Sequence, residues 1–180
     1  MRTTLLLIVL STVGQGAKLS LPPSATVQAQ AGDTVGWGYL LTDNRGYSVP
    51  TFSEFTPDSA FGLYFDFVSL PQNFVVVTPV AAGGQFYNQT NETGAGEFFT
   101  DPATPDGTVI HGTITLHYDL YSNNPDVNPD SFVSGDNTVS ADVAITVTAL
   151  QQTPEPVTFG LMAVALGLLA SRRLAHRSRR

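Results

Sequence analysis

Between Lys18 and Leu150, apolar and polar residues alternate with a period of two. That is the period of strands with one buried face. Thr34–Thr42 places Val35, Trp37, Tyr39 and Leu41 on one side, and Thr108–Tyr121 does the same with Ile114, Leu116, Tyr118 and Leu120. In Thr138–Leu150 the inward set is Val139, Ala141, Val143, Ile145 and Val147. Shorter candidate strands are Ala25–Ala31, Tyr47–Phe55, Phe61–Leu70, Gln85–Thr90 and Gly94–Thr100. Pro50 assigns Tyr47–Phe55 to a sheet edge. In Phe61–Leu70 the pattern sets Leu63, Phe65 and Phe67 against Tyr64, Asp66 and Val68. The β-branched run Phe74–Val80 predicts a strand buried on both faces. Gly112 reads as a bulge, and Ser122–Asn137 as a long polar loop. About nine short strands separated by Gly, Pro and Asn turns, with no sustained helical period, predict an all-β fold: an antiparallel β-sandwich with Greek-key links.

The two ends follow another pattern. Met1–Ala17 carries one charge, Arg2, then an apolar run and small residues, which is the layout of a secretory signal peptide. Val157–Ser171 is uncharged over 15 residues. As a helix it would reach about 22 Å, short of a hydrocarbon core of about 30 Å, and arginines at its end can snorkel to cover part of the difference. Arg172, Arg173, Arg177, Arg179 and Arg180 follow and mark a cytoplasmic side by the positive-inside rule. Just before the apolar stretch, Pro154 and Pro156 bracket Glu155 and hold the chain extended. The expected organisation is a signal helix in 1–17, a β ectodomain in 18–152, and a sorting segment in 153–180 with a transmembrane helix at about 157–171.

Pro-Glu-Pro, a short apolar span and an Arg-rich end, in that order, resemble the PEP-CTERM protein-sorting signal. The resemblance implies export by an exopolysaccharide-producing bacterium, anchorage in the inner membrane with the ectodomain outside the cytoplasm, and processing by an exosortase, a membrane cysteine protease. Release to the cell surface or medium follows. It makes Pro154, Glu155 and Pro156 a recognition site for another enzyme, with secretion machinery and signal peptidase as further partners. Two further stretches carry weaker likenesses. The strand Val35-x-Trp37-x-Tyr39-x-Leu41 between two turns is similar to an early strand of immunoglobulin-like bacterial surface domains. His117–Val147 resembles the end of an uncharacterised ectodomain recurrent among PEP-CTERM proteins, one with no known activity.

Charge changes the picture once the ends are set aside. Of 8 basic residues only Lys18 and Arg45 fall within 18–152, against all but one of the 15 acids, a net charge of about −12. A nucleic-acid partner is thereby excluded, since it requires a basic footprint; divalent cations and cationic groups are compatible. The chain has no cysteine, so neither disulfides, thiol catalysis nor thiolate metal sites operate, and stability rests on a packed core.

Candidate chemistry is sparse. Asp126, Asn128 and Asp130 alternate as oxygen donors on one short stretch and could converge on Ca²⁺. Read as a twelve-residue EF-hand-like loop, the stretch departs at Ser131, where the turn glycine belongs, and at Asn137, where a bidentate acid belongs. A solvated turn is the alternative. His111 and His117, six apart on one strand, are about 20 Å apart and cannot share a metal. No Gly-x-Ser-x-Gly is present, and the acids are scattered as solubilising charge would be, so no catalytic residues are expected. Tyr39, Tyr47, Tyr64, Phe65, Tyr87, Tyr118 and Tyr121 could supply either a core or a sugar-stacking platform. The expected role is that of a non-enzymatic surface or matrix protein. The alternative is a carbohydrate-binding or Ca²⁺-dependent adhesion module, with exopolysaccharide as its ligand.

Overall fold

A computed structural model of the chain describes residues 16–149, which form an all-β fold. Ten strands follow in chain order: β1 (Lys18–Ser20), β2 (Thr26–Ala29), β3 (Thr34–Trp37), β4 (Tyr39–Thr42), β5 (Tyr47–Pro57), β6 (Gly62–Asp66), β7 (Gly83–Gln85), β8 (Gly96–Thr100), β9 (Val109–Tyr121) and β10 (Phe132–Val147). Two single 3₁₀ turns, Pro71–Asn73 and Pro129–Ser131, are the helical pieces among the described residues. Among these residues no helix is long and apolar enough to cross a membrane. The helices expected in 1–17 and at 157–171 lie outside the described residues.

The strands make three sheets, ordered β1-β4-β7, β2-β10-β9-β5 and β3-β8-β6. The long ribbon of β9 and β10 is the centre of the four-stranded sheet, and β5 closes one edge of it, as Pro50 foretold. All three sheets contribute to one core cluster: Trp37, Tyr39 and Leu41 from β3 and β4, Phe98 from β8, and Ile110, Ile114, Leu116, Tyr118, Val143, Ile145 and Val147 from β9 and β10. Apart from Phe98 and Ile110, these are residues that the two-residue period set inward. Gly38 interrupts the expected Thr34–Thr42 strand, because its backbone passes close to Gln85 and Phe86, leaving a Cβ only 2.6 Å from the Gln85 carbonyl oxygen.

The structure departs from the expected pattern in several places. The sheets are not purely antiparallel, since β2 runs parallel to β10, with Thr26 opposite Ala144 and Ala29 opposite Val147. Phe74–Val80 is not a doubly buried strand. After the Pro71 turn the segment is irregular, with Phe74 and Val80 exposed, Val75 packed against the core, and Val77 buried in it and held by paired backbone hydrogen bonds to Ser48 (2.9 and 2.8 Å). Gly112 is not a bulge. It stays in register with Val143 and Pro57, and glycine is needed because a Cβ there would lie 2.2 Å from the Phe55 ring. The register shifts fall instead between Pro50 and Phe52 and between Phe132 and Asn137. The polar loop ends at Ser131, and Phe132 already pairs with Tyr121. This end of the ribbon is largely exposed on both faces, so alternation was never imposed on it. Phe67, expected to share a face with Leu63 and Phe65, is buried because the chain leaves β6 after Asp66.

Candidate functional site

Three polar constellations stand out. Asp43 lies just past β4 with its side chain fully buried, and Arg45, two residues on, grips it. The guanidinium Nε donates to both carboxylate oxygens (2.9 and 3.2 Å), Nη2 to Oδ2 (2.7 Å), and the Arg45 backbone N–H to Oδ1 (3.0 Å). Nη2 also donates to the Tyr118 hydroxyl, which rises from the core face of β9. Burial pushes the Asp43 carboxyl up, but the side-chain and backbone hydrogen bonds and the charge of Arg45 outweigh it, and the group sits below the usual carboxylate value. Burial, with the Asp43 charge, raises Tyr118.

Asp66 ends β6 inside a cage of donors. Its Oδ1 accepts from the Ser53 backbone N–H (3.0 Å), the Ser53 hydroxyl (2.6 Å) and the Val68 N–H (2.9 Å), and Oδ2 accepts from the Ser69 N–H (3.2 Å). The carboxylate thus ties β5 of one sheet to β6 of another.

On the outward face of the four-stranded sheet, the His117 imidazole stacks on Phe52, with ring centres 3.8 Å apart. Nδ1 is 2.7 Å from Asp136 Oδ1, and Nε2 is 3.5 Å from Glu54 Oε1. Asp136 takes a left-handed backbone, φ 54°, within the β10 irregularity, which aims its carboxylate at the ring. Neighbouring pairs on this face, Thr113 with Asp142 and Thr115 with Ser140, satisfy one another at 3.0 Å. His111 lies farther along β9, exposed, its backbone N–H bonded to Asp58. The two histidines do not meet.

Asp126, Asn128 and Asp130 lie on the exposed turn before and within Pro129–Ser131. The turn is held by the Asn124 side chain, which accepts the Asp126 N–H (3.0 Å), and by the Asn128 carbonyl, which accepts the Ser131 N–H (3.2 Å) and hydroxyl (2.7 Å). Among the described residues no group of three or more His, Cys, Asp or Glu side chains is arranged to hold a metal ion. Pro154, Glu155, Pro156 and the arginines from Arg172 to Arg180 lie outside the described residues.

The aromatic candidates divide sharply. Tyr39 and Tyr118 are core, and Tyr64 packs against Phe55. Tyr87 lies flat over β3, its ring only 2.0 Å from where a Gly36 Cβ would stand, and its hydroxyl donates to Glu97 (3.1 Å). Burial and the Glu97 charge push its hydroxyl up to about 12. Phe65 sits directly across from Glu97 on the same outward face. The Asp43 and Asp66 constellations were not anticipated, although a lone acid inside the apolar stretch Gly62–Val68 was the available signal for the second.

Fold and chemistry together define an acidic, cysteine-free, all-β domain with a buried carboxylate, Asp43, held by Arg45. No protein-family model, curated protein or solved structure matches the chain.

Proposed function

We propose that this is a non-enzymatic exported surface or extracellular-matrix protein, delivered by a signal peptide, anchored through its C-terminal apolar segment and processed by an exosortase. One observation carries the reading: Pro154-Glu155-Pro156, the uncharged Val157–Ser171 and the closing arginines stand in that order. The ectodomain is a β-sandwich in this proposal, which is supported by side chains of all three sheets converging on one core cluster. The carboxylates of Asp43 and Asp66 are each held by several hydrogen bonds within the fold, which favours a structural role over catalysis.

The test is the intact mass of the protein recovered from the surface or medium of its producer. A C-terminus near Thr153–Pro156 is expected. A chain in the inner membrane that still ends at Arg180 overturns the exosortase reading.

A second reading, a carbohydrate-binding or Ca²⁺-dependent adhesion module, is favoured by the exposed Phe65 beside Glu97 and Tyr87, an aromatic surface with a carboxylate at its centre. It expects retention of the domain on the producer's polysaccharide. Where Asp126, Asn128 and Asp130 bind Ca²⁺, it also expects a melting temperature that falls with EDTA. No retention and no shift remove this reading.

A further inference from the structure

Five residues make β6, and it is an outermost strand of its sheet. Its pairing with β8 places Phe61 opposite Asp101 and Phe67 opposite Ala95, where the Asp101 N–H donates to the Phe61 carbonyl and the Phe67 N–H to the Ala95 carbonyl. Antiparallel ladders alternate, so Leu63 and Phe65 also turn their backbone groups toward β8. Gly62, Tyr64 and Asp66 turn theirs outward. Among the described residues, no strand and no turn pairs with that outer edge.

Proteins commonly blunt such an edge with lysine, proline, a bulge or an inward charge. The strand β6 has no lysine, proline or register shift. The charge on Asp66 is consumed by Ser53, Val68 and Ser69. The competing edge β5 carries Pro50, Pro57 and a register shift. Instead of a guard, β6 shows two large apolar side chains on its outward face, Leu63 (64% exposed) and Phe65 (50%).

We propose that the outer edge of β6 is a self-association surface, paired antiparallel with β6 of a second copy about a two-fold axis through Tyr64. The register is self-complementary. Tyr64 exchanges its N–H and C=O with Tyr64 of the other copy, and Gly62 and Asp66 exchange theirs across the seam. Leu63 then stands opposite Phe65 of the second copy, and Phe65 opposite its Leu63. Both contacts are non-hydrogen-bonded pairs, the closer kind in an antiparallel ladder. A two-fold centred on any other residue of β6 leaves part of the strand unpaired. The choice of a second copy rests on this match and on charge. In a domain with a net charge of about −12, the outward side chains of β6 itself, Leu63 and Phe65, are uncharged, with Glu97 of β8 set behind Phe65 on the side away from the seam, so two like-charged molecules can touch there. A seam of five residues is about 17 Å long, below a standard interface, so the dimer is weak and concentration-dependent. This inference does not rest on the export reading.

The chain has no cysteine, so single-cysteine variants report register cleanly. Residues 18–152, which contain every described strand and every buried residue of the core cluster, are prepared as Leu63→Cys and, separately, as Phe65→Cys. Under mild oxidation, the equimolar mixture is expected to form disulfide-linked dimer at least about tenfold faster than either variant alone, since the proposed register brings 63 beside 65 and separates like from like. In sedimentation, wild type is expected to dimerise with rising concentration. Leu63→Lys or Phe65→Lys, both at exposed positions, is expected to raise the dissociation constant at least about tenfold with the melting temperature unchanged. A protein monomeric at every concentration, a dimer indifferent to both lysines, or cross-linking no faster in the mixture overturns the proposal.

Discussion

Replacing Asp66 with alanine is expected to destabilise the domain by about 3–5 kcal/mol, since charge-assisted hydrogen bonds contribute about 1.5–3 kcal/mol each and are only partly replaced by water. The donors are backbone N–H groups of Ser53, Val68 and Ser69 and the Ser53 hydroxyl. The hydroxyl keeps a second acceptor, the Ala95 carbonyl. The Ser53 N–H has no such alternative and sits in a buried residue, so it bears the full desolvation cost. Against a typical total of about 5–15 kcal/mol, this is a large share. The melting temperature should drop by roughly 10–15 °C for a domain of this size. Asp66→Asn keeps one acceptor oxygen and should fall between the two. A loss under about 0.5 kcal/mol for Asp66→Ala, the value for an ordinary surface site, would show that the cage does not hold the sheets together.

Removing Arg45 has the second large effect, and its size depends on pH. Arg45→Ala leaves a fully buried carboxylate with only the residue 45 backbone N–H and the Tyr118 hydroxyl nearby. Breaking a buried pair by deleting one partner costs about 3–5 kcal/mol. Here the guanidinium is 44% exposed, so screening reduces the expected loss to about 2–3 kcal/mol near neutral pH. In the native protein the folded Asp43 carboxyl lies below its unfolded value, so its contribution is present above the unfolded value and is lost as pH falls through the folded one. In the variant, burial is left largely unopposed and the folded value moves up. Its contribution is then present at low pH and is lost as pH rises. The penalty of Arg45→Ala is therefore expected to be larger at about pH 7 than at about pH 3. Adding Asp43→Asn should remove most of the difference. Denaturant unfolding at the two pH values tests this, and a penalty independent of pH would mean that Asp43 is not ionised in the fold.

The contrast between what the pattern revealed and what it hid is clear along the chain. Ile114, Leu116, Tyr118 and Leu120 announced β9 because one face of that strand meets the core and the other meets water. Trp37, Tyr39 and Leu41 were legible for the same reason. The Phe74–Val80 run misled because β-branched residues fit a pleated surface without specifying one. Val77 makes the β-bridge of this run, and its partner lies far away in sequence at Ser48. The start of β10 was hidden because both faces of its exposed end are polar or wet. Nor does any local pattern say that β2 will lie parallel to β10, because that choice is made by residues more than a hundred positions apart. The polar constellations were illegible on the same ground. Arg45 meets Tyr118 across 73 residues, and Asp66 meets Ser53 across 13. Arg45 and Asp43, two residues apart, could be paired by eye, but not their burial.

The parallel pairing of β2 with β10 gives the domain a direction of mechanical strength. Tension applied between the segment before Thr26 and the segment after Val147 pulls these neighbours along their length in opposite senses. Their four register pairs, together with the flanking bonds from Ala144 to Ala25 and from Thr148 to Ala29, are then loaded in shear, all at once. Antiparallel neighbours joined by a hairpin would instead unzip bond by bond from one end. A load carried between the two ends of the four-stranded sheet's β2 and β10 is therefore resisted in shear rather than by unzipping.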